Sequence, residues 1–142
     1  MSHDHYDASF IRDILGTVKT IALLGASPKP ERPSHGIMGF LLRKGYRVIP
    51  VNPGLAGKQI HGQTVVATLA DIAEPVDMID VFRAPEYLEQ VVDEALALDP
   101  LPKVIWGQLG VRDDHAAERA EAAGIRVVMD RCPAIEYPRV MA

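Results

Sequence analysis

Ile21-Ala22-Leu23-Leu24-Gly25-Ala26-Ser27, continued by Pro28-Lys29-Pro30-Glu31-Arg32-Pro33-Ser34-His35, is the stretch on which the reading of this chain turns. Four apolar residues running into Gly-Ala-Ser predict a strand buried on both faces whose carboxyl end breaks into a loop. A helix follows: Ser34 is placed to cap Gly36 to Lys44, and Gly45 to stop it. Strand, small-residue turn, loop and helix start form a crevice where free backbone N–H groups and the positive end of a helix dipole face any anion. Lys29 and Arg32 add charge of the matching sign. The stretch falls short of the G-x-G-x-x-G dinucleotide fingerprint, and its loop is longer than that fingerprint allows. A plainer reading therefore stays open at this point, in which Gly25 only makes the turn and Lys29 and Arg32 are solvated loop charges.

Working outward, the same alternation repeats. Before the first strand, Asp7 is placed to cap a packing helix whose Phe10, Ile11, Ile14 and Leu15 share a face and whose stop is Gly16. After it come a second strand, Tyr46 to Val51, and an Asn52-Pro53-Gly54 turn. Gly57 to Gly62 reads as a turn-rich connection and Leu69 to Ile72 as a helical turn. A third strand, Val76 to Phe82, leads into a helix from Glu86 to Leu98 with Leu88, Val91, Val92, Ala95 and Leu96 on one face. A fourth strand, Lys103 to Trp106, precedes a helix capped by Asp113 and stopped at Gly124; a fifth, Ile125 to Met129, precedes a short helix opened by Pro133. Short apolar runs alternating with helices predict right-handed crossovers and an α/β, single-domain, Rossmann-like doubly wound sheet of five parallel strands. No internal repeat or low-complexity linker interrupts the chain, so the expectation is one domain over residues 1–142.

Composition agrees with that class. A chain of 142 residues, 48% hydrophobic and 24% charged, is long enough for a full core without metals or disulfides. The net charge of −4 and the lack of a basic run argue against a nucleic-acid surface. The single cysteine, Cys132, excludes an internal disulfide and any paired zinc spacing, which suits a reducing cytoplasm. The start, Met1-Ser2-His3-Asp4-His5-Tyr6, lacks the basic-then-apolar order of a signal peptide, and no apolar run approaches the roughly 20 residues of a membrane span. His3 and His5 are expected to lie in a frayed, inert terminus rather than to hold a metal.

In doubly wound sheets ligands bind beyond the carboxyl ends of the strands. The candidates are thus Gly25 to His35, Asn52-Pro53, Phe82-Arg83, Trp106 to Gly110 and Arg131-Cys132. NAD-binding proteins place Asp or Glu after the second strand to take the ribose hydroxyls, and here that place holds Asn52. Without a carboxylate there, a nucleotide carrying an extra ribose phosphate is no longer repelled. Lys29, Arg32 and Arg83 are available to neutralise it, arginine with a bidentate fork. The expected ligand is a polyphosphorylated adenine nucleotide. No nucleophile, base and orienter line up: Ser27 lacks a G-x-S-x-G elbow, and His35 and Cys132 have no evident partners. His35 is expected to face the ligand or to hydrogen-bond within the loop. Trp106 reads as core or as pocket wall.

Taken together, Gly25-Ala26-Ser27-Pro28-Lys29-Pro30-Glu31-Arg32-Pro33-Ser34, Tyr46 to Pro53, Val76 to Arg83, Trp106-Gly107-Gln108-Leu109-Gly110-Val111 and Val128 to Pro133 resemble the small stand-alone CoA-binding proteins. That family is in turn similar to the CoA-binding domain of the succinyl-CoA synthetase α subunit. The resemblance runs from Tyr6 to Val140, with Gly107 a local departure where the family often has a larger residue. It implies coenzyme A or acyl-CoA as ligand, with Gly25, Ala26, Ser27, Lys29, Arg32 and Ser34 near the phosphates and His35 in the same cofactor-binding set. Asn52, Pro53, Phe82 and Arg83 would border the adenine nucleotide, and Trp106, Gln108 and Gly110 complete the implied cofactor-binding set. The phosphorylated histidine and nucleotide-grasp partner of the ligases lie beyond this domain. The leading expectation is a non-catalytic carrier, sensor or regulatory module, with no catalytic or metal-binding residues and a protein partner left open. The alternatives are an NAD(P)-dependent oxidoreductase, a small acyl-CoA-handling enzyme, or a flavodoxin-like signalling domain. A homodimer is one state open to so small a domain. Cys132, before a helix start, is either quiet packing or a thiol able to form a mixed disulfide with CoA.

Overall fold

The computed structural model describes residues 2–141; Met1 and Ala142, the ends of the expected domain, lie outside the described residues. The chain folds through α1 (Ala8–Thr17), β1 (Thr20–Leu24), α2 (Pro33–Arg43), β2 (Arg47–Val51), β3 (Gln59–Ile60), β4 (Gln63–Thr64), β5 (Met78–Val81), α3 (Leu88–Leu96), β6 (Val104–Gly107), α4 (Asp114–Ala122), β7 (Arg126–Val128) and α5 (Pro133–Val140). The main sheet is parallel throughout, in the order β2-β1-β5-β6-β7. It is the Rossmann-like α/β fold expected from the alternating apolar runs.

Alternation along each strand divides the core into two layers. Ile21, Leu23, Val48, Met78, Val104, Trp106 and Val128 point to one side, where Ile11, Ile14 and Leu15 of α1 and Met38 and Leu41 of α2 cover them. Ala22, Leu24, Ile79, Val81, Ile105 and Val127 point to the other, under Val91, Val92 and Ala95 of α3 and Ala116, Ala117 and Ala120 of α4. Both faces are thereby covered, which is why the strands read as unbroken apolar runs. Asp80, at the middle of β5, is the exception.

Local differences from the sequence expectation have local causes. Helix α2 starts one residue before Ser34: Arg32 holds the N-cap position and Pro33 is the first helical residue, where a fixed φ and a missing N–H are both tolerated. Ser34 is thus inside the helix and buried rather than its cap. Asp7 stands at the N-cap of α1, but its side chain makes no capping bond, and the helix runs through Gly16 to Thr17. The segment expected as one helix from Glu86 is split into a 3₁₀ turn, Pro85–Tyr87, and α3. The turn-rich Gly57 to Gly62 segment contains half of a small antiparallel hairpin, β3 with β4. His61 and Gly62, at its tip, have φ of 50° and 75°, the doubly positive pattern of a tight hairpin turn.

The amino terminus is not frayed at His3, which is buried. Its Nδ1 lies 2.6 Å from the Tyr6 hydroxyl and its Nε2 3.3 Å from Glu121 Oε1. The Tyr6 oxygen accepts from the Met129 N–H at 2.8 Å, so the first residues are strapped across the end of β7. Arg131 reinforces the strap, its guanidinium 4.9 Å from the Tyr6 ring centre.

Candidate functional site

The sheet order reverses between β1 and β5, since the chain leaves β1 for β2 on one side and returns to β5 on the other. Crossovers that diverge leave an open crevice beyond the strand ends. Gly25 closes its floor. With φ of 92°, it adopts a backbone conformation that side chains disfavour, and an added Cβ would sit 2.9 Å from the Phe82 carbonyl oxygen. Strand β1 and the end of β5 approach this closely only because position 25 carries no side chain.

A cavity of about 590 Å³ occupies the crevice, lined by Gly25, Ala26, Ser27, Lys29, Arg32, Ser34, Asn52 and Phe82 among others. Asn52 builds its wall. Its Nδ2 donates to the Ala26 carbonyl at 2.9 Å and its Oδ1 accepts from the Gly54 N–H at 2.9 Å. The side chain therefore ties the loop after β2 to the loop after β1, with both ends of its amide already occupied. Ser27 Oγ likewise accepts from the Lys29 N–H at 3.2 Å. No side chain caps the start of α2, whose Pro33 and Ser34 line this space.

A second, more apolar cavity of about 370 Å³ continues along the same edge, lined by Pro33, Ile37, Phe82, Arg83, Leu109, Gln108, Gly110 and Cys132, with neighbours from both loops. Pro33 and Phe82 line both cavities, so the two are lobes of one elongated cleft. Neither wall includes an Asp or Glu, while Lys29, Arg32 and Arg83 all do contribute. None of these three cations makes an ion pair among the described residues, in contrast to Arg47, Lys103, Arg112, Arg119, Arg126 and Arg139. In a chain of net charge −4, the cleft is a local concentration of unneutralised positive charge. The Arg83 guanidinium lies 4.5 Å from the Tyr87 ring centre, a stacking that leaves its N–H edge available.

Three residues of the implied cofactor-binding set lie off these walls. Trp106 is entirely buried, its Nε1 donating to the Arg131 carbonyl at 2.9 Å, and belongs to the core rather than to the pocket wall. His35 points sideways to His61, the ring centres 4.1 Å apart, and its carbonyl is 2.8 Å from His61 Nε2. Pro53 starts the 3₁₀ turn after Asn52. Cys132 is buried at the N-cap of α5, against the second lobe. Gly107 has its own steric reason: a Cβ there would meet the Val111 carbonyl oxygen at 2.6 Å, so the turn that presents Gln108 closes only over glycine.

The sequence reading passed over Asp80. It is fully buried, and its Oδ1 accepts from Gln108 Nε2 at 2.7 Å while Oδ2 has no partner among the described residues. Burial pushes its carboxyl up to about 7, the Gln108 hydrogen bond only partly offsetting the loss of hydration. A carboxylate inside Met78-Ile79-Asp80-Val81 is itself the signal that could have marked it.

Against known proteins, residues 19–138 match the model of a CoA binding domain. The chain is 36% identical over 122 residues to the uncharacterized protein YneT of Bacillus subtilis (strain 168), covering 86% of this chain and 87% of that one. It is 27% identical over 122 residues to the α subunit of acetate–CoA ligase [ADP-forming] I of Pyrococcus furiosus, and spans 26% of that subunit's length. A solved structure of a Thermus thermophilus protein superposes with a TM-score of 0.88 at 42% identity, over 95% of this chain and 99% of that one.

Proposed function

This chain belongs to the CoA-binding domain family, and on that premise we propose that it binds coenzyme A or an acyl-CoA along the cleft, as a carrier, sensor or regulatory module without chemistry of its own. The observation that carries the reading is the wall composition: three unpaired cations, no carboxylate, and an uncapped helix start around a space of nucleotide size. Phosphates are the ligands such a wall favours. Asn52 at the place of the ribose-binding carboxylate supports CoA over NAD, because an added ribose phosphate meets no negative charge there. The non-catalytic reading is supported by the commitments of the candidate groups. Ser27 Oγ serves its own loop, the His35 ring packs on His61, and no acid lines the cleft. Titration calorimetry with CoA, dephospho-CoA and NAD tests the proposal. CoA should bind tighter than either; NAD binding tighter than CoA would overturn it. Mass spectrometry of the gently denatured protein should show copurified CoA or acyl-CoA.

A further inference from the structure

Asp80 is the one carboxyl among the described residues that is buried, at 0% exposure, and it stands between Leu23 of β1 and Trp106 of β6 in the layer beneath α1, α2 and α5. An orphaned acceptor in such a place is destabilising, since it gives up its hydration without replacement. The side chain it touches is at the surface of the cleft. Gln108 is held by its backbone in the turn after β6, its N–H donating to the Val81 carbonyl at 3.2 Å and its carbonyl accepting from the Val111 N–H at 2.8 Å. Its amide nitrogen meets Asp80, and the residue itself lines the second lobe.

Asp80 Oδ1 accepts from Gln108 Nε2 at 2.7 Å, so the nitrogen is the end of the amide that faces Asp80. The oxygen is thereby turned the other way. Gln108 Oε1 takes no hydrogen bond from the described residues and, unlike Asp80 Oδ2, is not sealed from solvent. A hydrogen-bond acceptor thus belongs to a residue of the lobe whose wall is mostly apolar, Pro33, Ile37, Phe82, Leu109 and Val111 among others, with Arg83 its one charged side chain. The pantetheine arm of CoA has the matching chemistry: apolar methyl and methylene groups interrupted by secondary amides, each with an N–H to donate.

We propose that Asp80 is a positioning residue which, by orienting the Gln108 amide, fixes the acceptor that reads an N–H of the pantetheine arm in the apolar lobe. The inference rests on the reading of the cleft as a CoA site and adds to it a direction: phosphates at the α2 start, arm across Pro33 and Phe82, amide at Gln108.

The experiment compares CoA with adenosine 3′,5′-bisphosphate, which lacks the arm, on wild type, Asp80→Asn, Gln108→Met and the double variant, each checked for folding by circular dichroism. The titrations are run above pH 7, where the Asp80 carboxyl is ionised and can only accept; in Asp80→Asn the substituted amide could donate to Gln108 as readily as accept from it, so the Gln108 amide loses its set direction. Either single change should weaken CoA about tenfold, the worth of one hydrogen bond, with a much smaller change for the bisphosphate. The double variant should lose no more than either single one, because both act on one contact. Equal losses for both ligands, or losses that add in the double variant, would overturn the positioning role while leaving CoA binding intact. Wild type that binds neither ligand would overturn the function and this inference together. If Asp80→Asn does not fold, Gln108→Met against the two ligands still decides whether the arm is read.

Discussion

At the scale of residues, the cleft is defined by what single side chains omit as much as by what they supply. Gly25 and Gly107 are needed because carbonyl oxygens of Phe82 and Val111 occupy the space a Cβ would take. Arg32 and Arg83 are unpaired and border the two lobes. Replacing either with Ala should weaken CoA by about 1.5–3 kcal/mol through loss of a charge-assisted hydrogen bond, measured by calorimetry. If the arginines meet the ribose phosphate, dephospho-CoA should lose less than CoA in at least one of the two variants. Asp80 makes a different prediction, about stability. Its folded pKa is raised to about 7 from an ordinary 3.8, so between those values the folded state holds a proton that the unfolded chain releases. Its contribution therefore becomes less favourable as pH rises from about 4 to about 7 and is level above. Urea denaturation across that range should show Asp80→Asn gaining on wild type as pH rises, with the difference flat beyond neutrality.

At the scale of elements, identical sequence signals led to different structural outcomes. Asp7 and Asp113 both precede helices, yet only Asp113 caps, its Oδ1 accepting from the N–H groups of His115 and Ala116 at 3.1 Å each. Asp113→Ala should accordingly cost about 0.5–2 kcal/mol, whereas Asp7→Ala should fall within about 0.5 kcal/mol of wild type; thermal or chemical denaturation separates them. Asp7 is exposed, its Oδ1 3.6 Å from His5 Nε2, and nothing packs it over the helix end. Helix α2 illustrates the same limit, for both Pro33 and Ser34 are acceptable helix openers, and the fixed φ of Pro33 places the start earlier. The hairpin of β3 and β4 was illegible because two-residue strands are too short to show a period.

At the scale of the whole molecule, a chain of net charge −4 places three cations without an ion pair, Lys29, Arg32 and Arg83, along one acid-free cleft at the edge of the sheet. CoA binding should therefore weaken as salt is raised, and the salt dependence should shrink in Arg32→Ala and Arg83→Ala, as calorimetry at low and high ionic strength would show. A salt-independent affinity would mean that the phosphates lie elsewhere. The alternating apolar runs by themselves determined the parallel sheet, since a strand covered on both faces must be apolar throughout. The lack of an acid after the second strand and the loop cations at Lys29 and Arg32 were legible in the same way, because strand ends in this topology all open onto one edge. What only the tertiary structure decided is which of those strand-end residues face the cleft. Trp106 turned inward, His35 turned to His61, and Asn52 spent its amide tying two loops together. Asp80 shows the same limit most directly. Its role depends on Gln108, 28 positions away in sequence, and a contact of that span exists only once β5 and β6 are paired and the turn over Gly107 has closed.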